Sequence, residues 1–496
     1  MKTLLQIFLV IALAGTVRAA QTFPRSTPEA QGVASTAMLE FVKALDQIDG
    51  MHGVVVVRHG QVIANGWWQP YGAEHQHVLY SLSKSFTSSA VGLAIAEGKF
   101  SLSDPVLKFF PDDAPANLSD NLKAMCVRDL LTMATGHQDE PPTAPAEMSP
   151  KSFLAQPVVH APGTQFKYNT AATFMLSAIV QKVAGETVLD YLRPRLFGPL
   201  GIEQPVWETN FQGISLGGYG LRVRTEDIAK FGQLYLQHGH WQGKQLLPAE
   251  WVATATARQI SNGSNPDSDW NQGYGFQFWR CRHNAFRGDG AFGQYCVVMP
   301  EQDTVVAINS GVQDMQTVLN VIWDKLLPAL ESQALPPTPE ATRQLNDKLA
   351  HLQVSPAQGA LTSSMAAKIL GRKFVFAPNE QRMEKLQLTS SEADKTLTLT
   401  LHRDGKEIIL PCGYHEWKPC RAPLLAGQLA QFPDEPTAGT FAWLDEHTCA
   451  IKLCAFETPF HTLLTLKFAG DQLTLDAETN VAFGPTKRPQ LVGRAE

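Results

Sequence analysis

Beginning at His77 the chain reads HVLYSLSKSFTSSAVGLAIAEGKF. Phe86, Ala90, Leu93 and Ala94, with Gly92 among them, recur at helical spacing and form a narrow apolar face that lets a neighbouring element approach closely. Gly98 stops that helix. Helical patterning returns over residues 171–183, where the apolar stripe includes Phe174, Ala178 and Val180, over 225–237, and over VIWDKLLPALESQ to near Gln333. Strand-like runs bracket these helices: GVVVVRHGQVIANGWW near the start, then GYGFQFWRCRH, GQYCVVMP and DTVVAIN. Strands at both ends with helices between them predict an α/β domain in which one sheet is assembled from the two ends and covered by helices.

The pattern changes after Gln333. In ALPPTPEATRQ the prolines 336, 337 and 339 interrupt regular structure, so residues 334–345 read as a Pro-rich linker. Beyond it the period shortens to two. KTLTLTLHRDGKEIILP turns at Asp404-Gly405, and TLLTLKFAGDQLTLDAE turns at Gly470-Asp471. Residues 346–496 therefore form a separate all-β module of roughly 150 residues, read as a stabilising cap in preference to a lid or binding element. Residues 20–333 are the larger domain.

Length agrees with this division, because 496 residues exceed what one ordinary core holds. Hydrophobic residues make up 44% and charged residues 18%, as in a soluble globular protein. A net charge of -6 without a long Lys/Arg block argues against a nucleic-acid partner. The first residues differ from the rest. Met1-Lys2, the short apolar run from Leu4 to Val17 and the small-x-small site Val17-Arg18-Ala19 read as a secretory signal, residues 1–19, with cleavage after Ala19 and Ala20 close behind. The expected product is exported, periplasmic or secreted, with no membrane span after cleavage; its oligomeric state stays open. Seven cysteines make an odd count without a disulfide framework, so most read as small buried hydrophobes, with Cys281 and Cys296 able to face each other across strands. No zinc motif is present: Cys449 and Cys454 lack a second pair, and His75 and His77 in EHQH read as solvated loop residues.

Candidate chemistry sits at the head of the first helix. Burying the Lys84 ammonium there is costly unless it acts. Ser81 and Lys84 form S-x-x-K, which puts an amine one helical turn from a hydroxyl, where a neutral lysine accepts the serine proton. Burial beside a helix start lowers a lysine pKa toward neutrality. The four-residue pattern alone is expected roughly once by chance in a chain of this length. Two further segments raise its weight. PGTQFKYNTAATFMLSAIVQKVAGE sets Tyr168 at a loop-to-helix junction, and FRGDGAFGQYCVV offers Gly288, Gly290 and Gly293 at the start of a strand, where bare backbone can approach a substrate.

Together and in this order, YSLSKSFTS, LLTMATGH, PGTQFKYNTAATFMLSAIVQKVAG, GGYGLRVRTEDIAKFG and DGAFGQYCVVMPEQDTVVAIN resemble the serine β-lactamase and penicillin-binding-protein-like hydrolases, particularly the class C, esterase and 6-aminohexanoate-dimer hydrolase branch. The resemblance covers about residues 25–330. It implies a β-lactamase-like mixed fold, an antiparallel sheet flanked by helices plus a helical subdomain, and a serine acyl-enzyme that requires no metal or cofactor. It also implies Ser81 as nucleophile, Lys84 as general base and Tyr168 as second proton carrier. The backbone N–H groups of Ser81 and Ala291 would hold the oxyanion, with Gly290, Asp289 and Asn169 at the substrate-binding edge.

Two departures shape the expected substrate. The Y-x-N triplet is Tyr168-Asn169-Thr170, so a hydroxyl replaces the third-position amide. The Lys-Thr-Gly strand motif is replaced by RGDGAFGQ, where Asp289 would repel a carboxylate unless Arg287 points inward. Small esters or amides are therefore the expected substrates. The alternatives are a β-lactamase or D-Ala carboxypeptidase proper and a non-catalytic peptidoglycan-associated binding protein, against which the retention of Ser81, Lys84 and Tyr168 argues.

Overall fold

The computed structural model describes residues 23–391, 393–423 and 433–496. The signal-peptide reading lies outside the described residues. The larger domain is built on a six-stranded sheet ordered Gln61–Trp67, Met51–Arg58, Thr304–Ser310, Gln294–Met299, Phe286–Gly290, Trp279–Arg280. Every pair is antiparallel, and the strands come from the two ends of the domain, as the pattern predicts. Val54 to Val57 are buried on both faces because helices cover each side. On one face lie Ser35–Asp46 and Met315–Val321, packed around Phe41, Val54, Val56 and Ile308. On the other lie Ser83–Ala96, Thr170–Ala184 and Thr225–Leu236, packed around Phe86, Phe174 and Phe231.

The helix Ser83–Ala96 is more deeply set than a single apolar face implies. Its polar flank is buried as well, and several of its hydroxyls answer particular neighbours: Ser85 donates to the Gln277 carbonyl (2.9 Å), Thr87 to the Gly217 carbonyl (2.9 Å), and Ser89 pairs with the Tyr235 hydroxyl (2.8 Å). A Cβ on Gly92 would stand 2.5 Å from the Trp251 ring, which is the close approach its small residues foretell. Gly98 follows the helix at φ +71°.

The proline-rich segment departs from a free linker. Pro339 opens a helix, Pro339–Ala350, because the first helical turn needs no N–H from it. Leu345 is buried against the helix Ser35–Asp46, Ser35 and Thr342 share a hydrogen bond (3.1 Å), and the Leu335 N–H donates to the Glu29 carbonyl (2.8 Å).

The C-terminal domain is all-β, a closed nine-stranded barrel. Its antiparallel run proceeds from Lys406–Tyr414 through Thr396–Arg403 and onward to Glu435–Trp443, and parallel pairing of Cys412 with Gly439 closes it. Along Thr396–Arg403, Leu397, Leu399 and Leu401 point inward with Leu386, Phe441 and Phe468, so side chains fill the interior. Asp404 and Gly405 turn at φ +55° and +72° between the paired residues Arg403 and Lys406.

The barrel covers part of the larger domain, which corrects the reading of the histidines. His77 is buried, its Nε2 3.2 Å from Nδ1 of buried His52, and burial drives His77 down to about 3. His75 is half-buried against Phe456 of the barrel. All seven cysteines are free thiols. Cys281 and Cys296 face different neighbours, Cys281 the Arg287 guanidinium and Cys296 the helix carrying Gly232.

Candidate active site

Ser81 lies in a single 3-10 turn, Tyr80–Leu82, that runs into the helix beginning at Ser83. Tyr80 holds φ +46°, an uncommon conformation for a bulky residue, stabilised by its surroundings. The turn is held from both sides. The Leu79 N–H donates to the Leu221 carbonyl (2.8 Å), and the Leu221 N–H donates back to the Ser83 hydroxyl (3.2 Å). Opposite, the strand Phe286–Gly290 passes so close that a Cβ on Gly290 would come within 2.0 Å of the Leu79 carbonyl oxygen, and one on Gly288 within 2.4 Å of Leu82. Only glycine allows that approach. Gly293 stands at φ +93° just before the strand Gln294–Met299, whereas Gly288 lies within the preceding strand and Gly290 ends it, because FRGDG itself pairs with Gln294–Met299.

The turn places Lys84 Nζ 3.0 Å from Ser81 Oγ. The amine also donates to the Gly218 carbonyl (2.7 Å) and reaches the Thr170 hydroxyl (3.5 Å). Burial removes its water and lowers Lys84 to about 7, against the smaller opposing pull of Glu140 and Asp289. Tyr168 approaches from the loop before the helix Thr170–Ala184, its ring 5.0 Å from Lys84 Nζ and stacked on Trp279 at 5.5 Å. Burial, then the Asp289 charge, push the phenol well above its ordinary range, and the Ser81 hydroxyl is within hydrogen-bonding reach. At neutral pH that phenol is a donor.

Asn169 serves another purpose than the substrate-binding edge expected of it. Its side-chain oxygen accepts the Ala172 N–H (3.0 Å) as the helix N-cap and its amide nitrogen donates to Thr135 (3.3 Å), so the side chain is buried and turned inward. The residue reaching Lys84 is Thr170, at the position where the triplet departs from Y-x-N. Asp289 is near the reacting groups, as its effect on Lys84 and Tyr168 requires, but it is paired. Arg287, two residues along the same strand face, points inward and holds it at 2.9 and 2.8 Å. Arg287 is fully buried, donates to the Asp269 carbonyl (2.7 Å) and stacks over Trp270 at 4.5 Å. Ala291 follows the strand at the turn and packs against Tyr80 and Phe292, beside the serine turn.

Two contributors escaped pattern reading. Gln277, in a run read as strand, is a buried hub at φ +66°. Its amide nitrogen donates to the Leu131 carbonyl (2.9 Å), its amide oxygen accepts from Thr173 (2.6 Å), and its backbone carbonyl accepts from Ser85. It ties the serine helix, the tyrosine helix and the LLTMATGH strap together. Gly218, within the quoted GGYGLRVRTEDIAKFG, offers the carbonyl that anchors Lys84. A cavity of about 460 Å³ between the domains, lined by Asp314, His461 and Glu478, is separate from the Ser81 site. Among the described residues no cluster of histidine, cysteine and carboxylate suits a metal, and no helix is long and apolar enough to cross a membrane.

A buried lysine against a serine at a helix start, faced by a tyrosine and a glycine-bearing strand edge, defines a β-lactamase-like hydrolase fold and site. The chain belongs to the Beta-lactamase family, whose profile matches residues 39–316. It is 24% identical over 287 residues to 6-aminohexanoate-dimer hydrolase of Paenarthrobacter ureafaciens, a match spanning 53% of this chain and 73% of that protein. It is 26% identical over 235 residues to a beta-lactamase of Escherichia coli (strain K12), spanning 42% of this chain and 59% of that one. A Bacillus anthracis structure provisionally called a 6-aminohexanoate-dimer hydrolase shares the fold, with a TM-score of 0.52 at 20% identity over 64% of this chain and 89% of that chain.

Proposed function

We propose that this β-lactamase-family hydrolase is an exported esterase or amidase that works through an acyl-enzyme on Ser81. The observation that carries the reading is the 3.0 Å contact between Ser81 Oγ and a Lys84 amine held near neutrality. Neutral Lys84 takes the hydroxyl proton as Oγ attacks the carbonyl carbon. The tetrahedral oxyanion is held by the N–H groups of Ser81 and Ala291, a contribution of about 3 kcal/mol per donor. As the tetrahedral intermediate collapses, the C=O re-forms and the bond to the leaving alcohol or amine breaks, the leaving group taking its proton from Lys84 with the Tyr168 phenol donating in relay, and the acyl group stays on Ser81. Water, deprotonated by neutral Lys84, then attacks the acyl carbon; the second tetrahedral intermediate collapses by breaking the Ser81 Oγ–acyl bond, Oγ takes the proton back from Lys84, and the carboxylic acid leaves.

Substrate charge follows from Arg287 and Asp289. The guanidinium that would grip a β-lactam carboxylate is committed to Asp289, and the pair together offers an anion little attraction. Neutral esters and amides are preferred. The similarity to 6-aminohexanoate-dimer hydrolase supports including linear amides among them. Export rests on residues 1–19.

The test is labelling by a fluorophosphonate probe together with turnover of short acyl esters, linear amide dimers, D-aminoacyl amides and nitrocefin. Wild type should be labelled and cleave the neutral substrates well above nitrocefin. Ser81→Ala should abolish labelling and turnover, and Tyr168→Phe should slow both. Efficient nitrocefin turnover with esters untouched would make the protein a β-lactamase proper; no labelling and no turnover would favour a binding protein.

A further inference from the structure

The barrel meets the larger domain at the serine turn itself. Tyr80, immediately before Ser81, and Phe292, immediately after Ala291, form one apolar cluster with Phe460 and Val481 of the barrel. Tyr80 meets Phe460 edge to face at 6.5 Å, and Phe292 lies 5.8 Å from the same ring. The barrel is fixed in this position. Arg222 and Glu435 form a buried two-bond ion pair across the domains (2.6 and 2.8 Å), and Asn480 donates to the Gly311 carbonyl at 2.7 Å. Three residues beyond Asn480 comes Phe483. Its ring packs 4.8 Å from Phe292 and 5.9 Å from Tyr80, yet the residue is 74% exposed. Phe483 thus presents an exposed ring at the domain seam, against the residue that precedes Ser81.

We propose that Phe483, seated on the buried ring of Phe292, forms an apolar subsite beside the Ser81 turn that binds the acyl chain of the substrate, so that the barrel sets chain-length preference. The inference rests on the acyl-enzyme reading above. In the tetrahedral intermediate the leaving group must face Lys84 and Tyr168, which return its proton. The oxyanion faces the N–H groups of Ser81 and Ala291. The remaining substituent on that carbon is the acyl chain, and over the buried Phe292 that follows Ala291 lies the exposed ring of Phe483. A hydrocarbon chain of several methylenes would cover the exposed ring; an acetyl group would not reach it.

The experiment compares full-length wild type, Phe483→Ala and Phe483→Leu on p-nitrophenyl acetate, butyrate and hexanoate, with the leaving group constant. Wild type should prefer the longer chains. Phe483→Ala should lower the hexanoate-to-acetate ratio of kcat/KM about tenfold, leave acetate turnover and fluorophosphonate labelling within about threefold, and leave the melting temperature unchanged, because the side chain is outside the core. Phe483→Leu should restore most of the ratio. A wild type that is labelled and cleaves esters, with a ratio unchanged by Phe483→Ala or with all three esters falling together, would overturn this inference alone. A wild type neither labelled nor active on any ester would overturn the acyl-enzyme reading and this inference with it.

Discussion

If neutral Lys84 is the base that activates Ser81, the rate of acylation must follow its titration. A lysine at its ordinary value of 10.5 is neutral in about 3 molecules in 10⁴ at pH 7, whereas one lowered to about 7 is half neutral. Burial of Nζ among Ser81, Thr170 and Gly218 therefore raises the working fraction roughly a thousandfold. The assay is kcat/KM for a neutral ester from pH 5 to 9, which reports the free enzyme. It should rise about tenfold per pH unit on the acid side, bend near 7 and level off above about 8. Glu140→Gln sharpens the test. Glu140 raises the Lys84 midpoint, so removing its charge should move the acid limb to lower pH and make the variant faster than wild type at pH 6, relative to their plateaus. The amide oxygen of the substituted side chain can still accept the Thr170 N–H, as the Glu140 carboxylate does at 2.5 Å. Asp289 is the poorer choice, because neutralising it leaves Arg287 buried without its partner. A profile flat from pH 5 to 9 in an enzyme that Ser81→Ala inactivates, or a midpoint above 9, would refute Lys84 as the base.

Other consequences can be measured separately. Gly290→Ala sets a Cβ against the Leu79 carbonyl and should displace the serine turn, cutting the fluorophosphonate labelling rate by about 100-fold through loss of oxyanion geometry; an unchanged rate would show that the strand gives way. Arg222→Met leaves Glu435 buried and unpaired, takes the counter-charge from Glu457 (3.7 Å) and buried Glu208, and should lower stability in urea by about 3–5 kcal/mol, with Arg222→Met/Glu435→Leu recovering part of it; equal loss in the single and double variants would show that the unpaired Glu435 charge is not the source of the loss. Lys84→Met should abolish activity yet raise the melting temperature. The folded midpoint near 7 lies below the unfolded 10.5, so the buried amine opposes folding most below pH 7 and that cost fades toward 10.5; the gain should be larger at pH 6 than at pH 9. N-terminal sequencing of exported protein should begin near Ala20 or Gln21, and an intact Met1 would refute the signal.

Much of the fold and part of the site follow from short-range order along the chain. A period of 3.6 gave away the helices carrying Phe86 and Phe174, a period of two gave away Leu397, Leu399 and Leu401, and Asp404-Gly405 could take the left-handed turn that joins two strands. The Ser81–Lys84 pair is legible for the same reason: three residues are one turn, so backbone geometry brings hydroxyl and amine together. Tyr168 and the glycines of FRGDG could be recognised by resemblance, but their distances from Ser81 belong to the packed sheet. Asn169 looked like a substrate contact because its neighbours were right, and it became a helix cap because its own N-terminal turn needed an acceptor. Pro339 reads as a break until a partner helix makes it the first residue of another. His77 reads as solvated until the barrel covers it.

The chemistry that distinguishes this protein depends on contacts between residues far apart. Arg222 meets Glu435 across 213 positions, Gln277 bonds to Leu131 and Thr173, and Phe483 reaches Tyr80. No local pattern encodes such pairs, because their free energy exists only after the domains close and water leaves. The same closure lowers the Lys84 amine. The sequence determined that a lysine would stand one turn from a serine; burial by distant elements decided that it could give up its proton near neutral pH.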